Sequence, residues 1–274
     1  MQLISWRKLR DVVARADVVL SVVDIRNPLA TFSKRTERMA RELGKELIVV
    51  LNKCDLVPLW VSKGWAKYFR SEGYKTVFVS ATKRFGTRKL RKAINELITF
   101  RPAVLAIVGY PKVGKSSIIN ALKGKDSAPT SPYPGSPGYT KATQLYRIGE
   151  DLYIIDTPGI IPPTESDDIE LVIRRGPIES IPEPVKVAVK LIERILEFHP
   201  RAFEFTYRIR TKDPVKILEE LALRRGWIYK TTREPNIDEA ARAIIRDYLN
   251  GKIPFYVPPP NLESIGTRSE ASSS

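Results

Sequence analysis

Apolar and polar positions change period in blocks along the first hundred residues. The runs VVLSVV (18–23), ELIVVL (46–51) and TVFVS (76–80) are short, β-branched and apolar on both faces. That is the pattern of strands buried in a parallel sheet. Residues 32–44, 60–72 and 86–99 carry apolar positions at helical spacing instead, and in the last of these Leu90, Ile94, Leu97 and Ile98 share a face. A fourth strand pattern, AVLAIVG (103–109), follows, with two more around 142–148 and 152–155. Strand and helix in alternation predict an α/β fold, a mainly parallel sheet covered on both sides. In such folds ligands bind at the carboxyl ends of the strands.

The pattern changes where prolines gather: Pro162, Pro163, Pro177, Pro182 and Pro184. Residues 1–165 are therefore expected to form one domain and 166–183 a linker. Residues 184–260 are expected to form a smaller, mainly helical C-terminal domain, because VKVAVKLIERILEF, DPVKILEELALRRG and NIDEAARAIIRDYLNG all have helical periodicity. Within it, FEFTYRI (203–209) alternates like a strand. The polar ending, residues 261–274, is expected to be a disordered tail.

Charge adds a partner class. The net charge is +15, and residues 1–100, with 21 basic and 9 acidic side chains, supply +12 of it. Such an excess favours a polyanion, nucleic acid or an acidic membrane surface. No apolar run approaches the ~18 residues that span a bilayer, and the N-terminus is charged within its first ten residues, unlike a signal peptide. The single cysteine, Cys54, forms no internal disulfide and leaves no cysteine-bound structural zinc. A reducing compartment is implied, and a cytoplasmic monomer is expected. The lone His199 precedes a proline at a helix end, a position for capping or surface contact rather than catalysis.

The chemistry concentrates in short motifs. GYPKVGKSS (109–117) fits G-x-x-x-x-G-K-[ST] between a strand and a helix, the context of a phosphate-binding loop. Gly109 and Gly114 let backbone N–H groups approach phosphate oxygens. Lys115 would neutralise the β- and γ-phosphates and Ser116 would ligate Mg²⁺. Lys112, Val113 and Ser117 complete the nucleotide contacts, and the positive end of the following helix adds to them.

The strand ELIVVL ends in Asn52-Lys53-Cys54-Asp55. An N-K-x-D at a strand's carboxyl end reads guanine: the Asp55 carboxylate accepts from N1–H and the exocyclic amine together. Adenine lacks that donor pair, and an unpaired buried carboxylate excludes ATP. Asn52 would tie this loop to the phosphate loop, and the Lys53 stem would cover the base. Ser80-Ala81-Thr82 ends the next strand, where a backbone N–H of Ala81 would meet guanine O6. Thr82 stands where such loops commonly carry lysine.

Thr140, in the Pro- and Gly-rich SPYPGSPGYTK (131–141), is the candidate first-switch ligand to Mg²⁺. DLYIIDTPG (151–159) supplies Asp156, placed to hold the metal through water, and Gly159, whose N–H would meet the γ-phosphate.

The guanine motif and Ser-Ala loop precede the phosphate loop, Thr140 and Asp156. In most P-loop GTPases the phosphate loop and switches come first and the guanine motif and Ser-Ala loop last, so this chain is expected to be a circularly permuted P-loop GTPase domain. The order resembles the YlqF/YawG family of circularly permuted GTPases. Asp24, Arg26, Asn27 and Pro28, the PGYTK and DTPGI switches, and 236–254 are similar to that family's N-terminal, switch and C-terminal segments. The resemblance covers 1–165 strongly and 184–255 weakly. It implies GTP as substrate, GDP as product, and a role in ribosome assembly with hydrolysis stimulated by ribosomal particles. Related phosphate loops read Gly-x-Pro-Asn-Val-Gly-Lys-Ser, and that asparagine helps several such GTPases hold potassium. Lysine has donors only, so Lys112 is expected either to replace the ion with its own ammonium or to point to solvent or contact RNA.

Two basic runs suggest where RNA would lie. Lys34, Arg38, Arg41 and Lys45 follow one helix face, and Arg84, Arg88 and Arg91 another. Sparse aromatics nearby favour structured RNA read through its backbone, such as ribosomal RNA or a ribosomal subunit precursor with its ribosomal proteins. Two other functions fit: a GTPase of tRNA maturation or translation, or a nucleotide-gated binding module with negligible hydrolysis.

Overall fold

The structure, a computed structural model, describes residues 5–123, 144–159 and 168–260. Its first element is a helix that the strand-centred sequence pattern did not predict. The Ser5 hydroxyl accepts from the Lys8 backbone N–H at 3.4 Å and caps helix α1 (Trp6–Arg15). Leu9, Val12 and Val13 fall one turn apart and are buried with Met39 and Ala40. Each such side chain contributes roughly 1.5–3 kcal/mol of burial.

The chain then builds the expected sheet. Strand β1 (Val18–Asp24) leads through the turn helix α2 (Pro28–Thr31) and α3 (Lys34–Glu42) to β2 (Glu46–Asn52). Helix α4 (Leu59–Ser71) leads to β3 (Lys75–Phe78), and α5 (Thr87–Asn95) to β4 (Ala103–Val108). After α6 (Lys115–Leu122) come β5 (Gln144–Gly149) and β6 (Leu152–Asp156). The strand order is β3-β2-β1-β4-β6-β5, parallel except where β5 runs antiparallel to β6 at the edge.

Right-handed crossovers place the helices that follow β1 and β2 on one face. On that face α1 and α3 pack together, and Phe32 on the α2–α3 turn meets Phe69 of α4 edge-on at 5.3 Å. The return from β3 to β4 carries α5 to the opposite face, where it packs on α6. Strands β2 and β3 are added on one side of β1 and β4 on the other, and this switch in strand order between the parallel β1 and β4 opens the crevice for ligands.

Contacts between Cα atoms divide the chain into two units: residues 2–160 with the segment from Val257, and residues 161–256. The second unit therefore ends before position 260, where the sequence pattern set the end of the C-terminal domain. It is helical: α7 (Ile169–Val172), α8 (Pro184–Phe198), α9 (Ala202–Tyr207), α10 (Pro214–Arg224) and α11 (Ile237–Leu249). Its core is formed by α8, α10 and α11. In the proline-rich stretch Glu170 and Arg174 are buried as an ion pair at 2.9 Å, and Glu170 also accepts from the Tyr248 hydroxyl. Most of the 203–209 stretch is helical, not extended: α9 runs to Tyr207 and Arg208 caps it in the left-handed region. Among the described residues no strand pairs with it, and a lone strand would leave its backbone groups unsatisfied. His199 caps α8, and its Nε2 accepts from the Tyr256 N–H at 2.9 Å.

Candidate functional site

Loops from the carboxyl ends of β1, β2, β3, β4 and β6 meet at one end of the sheet. The phosphate loop joins β4 to α6. Gly114 precedes α6 at φ 101°, and a Cβ there would come within 2.2 Å of Asn52 Nδ2. The loop is therefore closed around the guanine motif with no room for a side chain. Lys115 opens α6 and is buried, with Nζ donating to the Gly109 and Tyr110 carbonyls at 3.0 and 3.2 Å. Burial lowers its pKa to about 8, against the opposing pull of Asp156. Its ammonium lies across the loop that would cradle phosphates, beside the positive end of α6.

Asn52 is the joint of the site. Its Nδ2 donates to Val113 O in the phosphate loop at 2.9 Å. Its Oδ1 accepts from the Ala81 N–H at 3.2 Å. One buried side chain thus ties together the loops after β2, β3 and β4. The Ala81 N–H is already engaged, so a role toward guanine O6 would require sharing that bond. Ser80 and Phe85 exchange backbone hydrogen bonds, both at 3.0 Å, which close the loop that holds Ala81 and Thr82.

Lys53 is left-handed at φ 68°, and its Nζ donates to Asp24 Oδ2 at 2.8 Å. Asp24 is buried and also bonded by Arg26, through Nε at 3.0 Å and Nη2 at 2.8 Å. Sequence resemblance marked Asp24 and Arg26, but not that they form the floor beneath the guanine loop. Asp55 is exposed at the site's mouth, not buried as its motif implies, so it is a bound base that would take its carboxylate out of water. Burial, then the Asp55 charge, push the Cys54 thiol up to about 11, so this cysteine is a neutral packing group.

On the phosphate side, Asp156 ends β6 and accepts a hydrogen bond from the Ser116 side chain. Burial raises its pKa, opposed by Lys115, Lys123 and Ser116. Two hard oxygen donors at a helix N-terminus suit Mg²⁺. Gly159 lies against the phosphate loop, where a Cβ would come within 2.5 Å of Pro111 Cγ. Lys112 is partly exposed at φ 63°, a backbone region that asparagine enters more readily than lysine. Ser117 follows on α6. Thr140 and Ile160 lie outside the described residues.

The two basic stripes prove to be on opposite faces of the sheet, α3 on one and α5 on the other, so they do not form one patch. Arg84, Arg88, Lys89 and Lys92 are exposed. Arg91 leaves the expected stripe: its guanidinium donates to the carbonyls of Ile148, at 3.0 Å, and Leu122. Among the described residues no helix is long and apolar enough to cross a membrane.

A sequence model of the family described as RsgA GTPase matches residues 3–163. The chain is 35% identical over 271 residues to nucleolar GTP-binding protein 2 of Yarrowia lipolytica, covering 95% of this chain and 52% of that protein. It spans about half the length of the curated relatives it matches first. Among solved structures it is similar to GDP-bound YlqF of T. maritima, with TM-score 0.65, 26% identity, and coverage of 94% of this chain and 100% of that one. GNP-bound YlqF from the same organism gives TM-score 0.63 at 26% identity, covering 91% and 95%. The expected cytoplasmic location is corrected by these relatives, several of which are named nucleolar or nuclear. A lone thiol indicates only a reducing compartment, and the nucleus is reducing too.

Proposed function

Since the chain belongs to the RsgA GTPase family of circularly permuted GTPases, we propose that it is a guanine-nucleotide switch that hydrolyses GTP during assembly of the large ribosomal subunit. The observation that carries this reading is Asn52, which bonds both the phosphate loop and the Ser-Ala loop. A guanine motif and a phosphate loop 61 positions apart in sequence thereby become one pocket. The relatives' names supply the setting, a nucleolar one.

In this reading Asp55 reads the base edge, and Lys115 and the loop N–H groups hold the phosphates. Ser116 and Asp156 would hold Mg²⁺ with Thr140, and the ion would neutralise charge between the β- and γ-phosphates. Gly159 N–H meets the γ-phosphate. Ile160 stands where a Ras-like GTPase has the glutamine that orients water. Isoleucine has no hydrogen-bonding group, so hydrolysis by the free protein is slow and the partner supplies what is missing. Lys112 stabilises the developing phosphate charge in place of a potassium ion. The exposed cations of α5 and the loop before it contact RNA phosphates.

The test is GTP turnover by the purified chain, alone and with isolated large-subunit precursor particles. Slow basal turnover with marked acceleration by the particles is expected. Fast turnover alone, or no response to any ribosomal particle, refutes the reading.

A further inference from the structure

Glycine in the interior of a helix weakens it relative to alanine. Gly64 sits in the middle of α4 all the same. A Cβ there would meet Pro259 Cγ at 2.4 Å and Cβ at 3.0 Å. Beside it the indole N–H of Trp65, itself 1% exposed, donates to Val257 O at 2.9 Å. On its other edge the Val257 N–H donates to Arg26 O at 2.7 Å. The segment Val257-Pro258-Pro259-Pro260 is thus fixed through both backbone groups of Val257. It lies between α4 and the turn that follows β1.

Those two elements are the walls of the guanine loop. Arg26, whose carbonyl holds the strap, also grips Asp24 through its guanidinium, and Asp24 holds Lys53 of the guanine motif. The Ile25 N–H donates to Asn52 O at 3.0 Å. Helix α4 begins four residues after Asp55. Proline suits the strap, because its restricted backbone loses little entropy on docking and an extended proline segment offers its carbonyls to an indole donor.

We propose that residues 257–260 are a positioning strap for the guanine site: docked, they hold α4 and the turn after β1 in the arrangement that fixes Lys53, Asn52 and Asp55, and so slow the release of guanine nucleotide. The proposal rests on the guanine reading above. The strap acts on the base side, so it slows release of GDP and of a non-hydrolysable GTP analogue by the same factor.

Gly64→Ala in the full chain separates this role from simple packing. Alanine favours helix, so an incidental glycine predicts equal or greater thermal stability and unchanged release. The strap predicts release of fluorescent GDP about tenfold faster, the scale of one lost hydrogen bond, with faster amide exchange at Val257. Pro259→Ala removes the Cγ that the new methyl strikes, so the double variant Gly64→Ala/Pro259→Ala should return toward the wild-type rate. Trp65→Phe, which removes the indole donor and keeps the ring, should also speed release. Unchanged release in Gly64→Ala and Trp65→Phe overturns the proposal, as does acceleration for the GTP analogue alone. Failure of the wild-type chain to bind any guanine nucleotide would sink the guanine reading instead; Val257 exchange would still report whether the strap docks.

Discussion

The base side and the phosphate side of the site are built on opposite plans. On the base side, Asp24 accepts from both Arg26 and Lys53, and Asn52 ties the neighbouring loops together, all through buried or part-buried bonds. On the phosphate side Lys115 is buried against carbonyls of its own loop, and burial shifts Lys115 and Asp156 toward their neutral forms. Side chains already bonded to one another hold their arrangement whatever is bound. A buried cation with a depressed pKa favours a ligand that brings negative charge. The recognition half is thus preorganised, while the reactive half gains most from the phosphates.

The largest effect should come from breaking the base side at its reading residue. Asp55→Asn should weaken GDP binding by about a hundredfold, since a charged acceptor of two donors is lost. Calorimetric titration checks this, and affinity within a few-fold of wild type would show that Asp55 does not touch the base.

The phosphate side should reveal itself through pH. Lys115 has its pKa lowered to about 8, and bound phosphates favour its charged form. GDP affinity should therefore be flat below pH 8. Above it, affinity should fall by up to about tenfold per unit, with a proton taken up on binding, until the pKa of the bound state is reached. Lys115→Arg keeps its charge and should flatten the profile. Dissociation constants measured from pH 7 to 9 test the sign.

A smaller effect is expected at Lys112. The unmodified chain should hydrolyse GTP nearly equally in potassium and sodium at matched ionic strength. Lys112→Asn should create a potassium preference of a few-fold, and it also places at φ 63° a residue suited to that backbone. A strong potassium requirement in the unmodified chain would remove Lys112 from the role given to it.

The same contrast explains what could be read from sequence. The strands were legible because residues buried on both faces leave unbroken apolar runs, as in VVLSVV and ELIVVL. The phosphate loop was legible because Gly109, Gly114 and Lys115 fall at fixed spacing within one short stretch of chain. Helix α1 was missed because its apolar residues, Leu9, Val12 and Val13, run on into β1 and blur the change of period. Arg91 reads as one more surface cation, and only the carbonyls of Leu122 and Ile148, brought to it by the fold, make it structural. The strap was illegible for the same reason: Trp65 and Val257 are 192 positions apart, and the sequence pattern assigned residues 257–260 to the helical C-terminal domain.

The central claim, that these permuted loops form one guanine-selective pocket, is tested most directly by displacing fluorescent GDP from the purified chain. Unlabelled GTP should displace it at comparable concentrations, and ATP should not at about a hundredfold excess, because adenine leaves the Asp55 carboxylate without its two donors. Equal displacement by ATP and GTP would contradict the account.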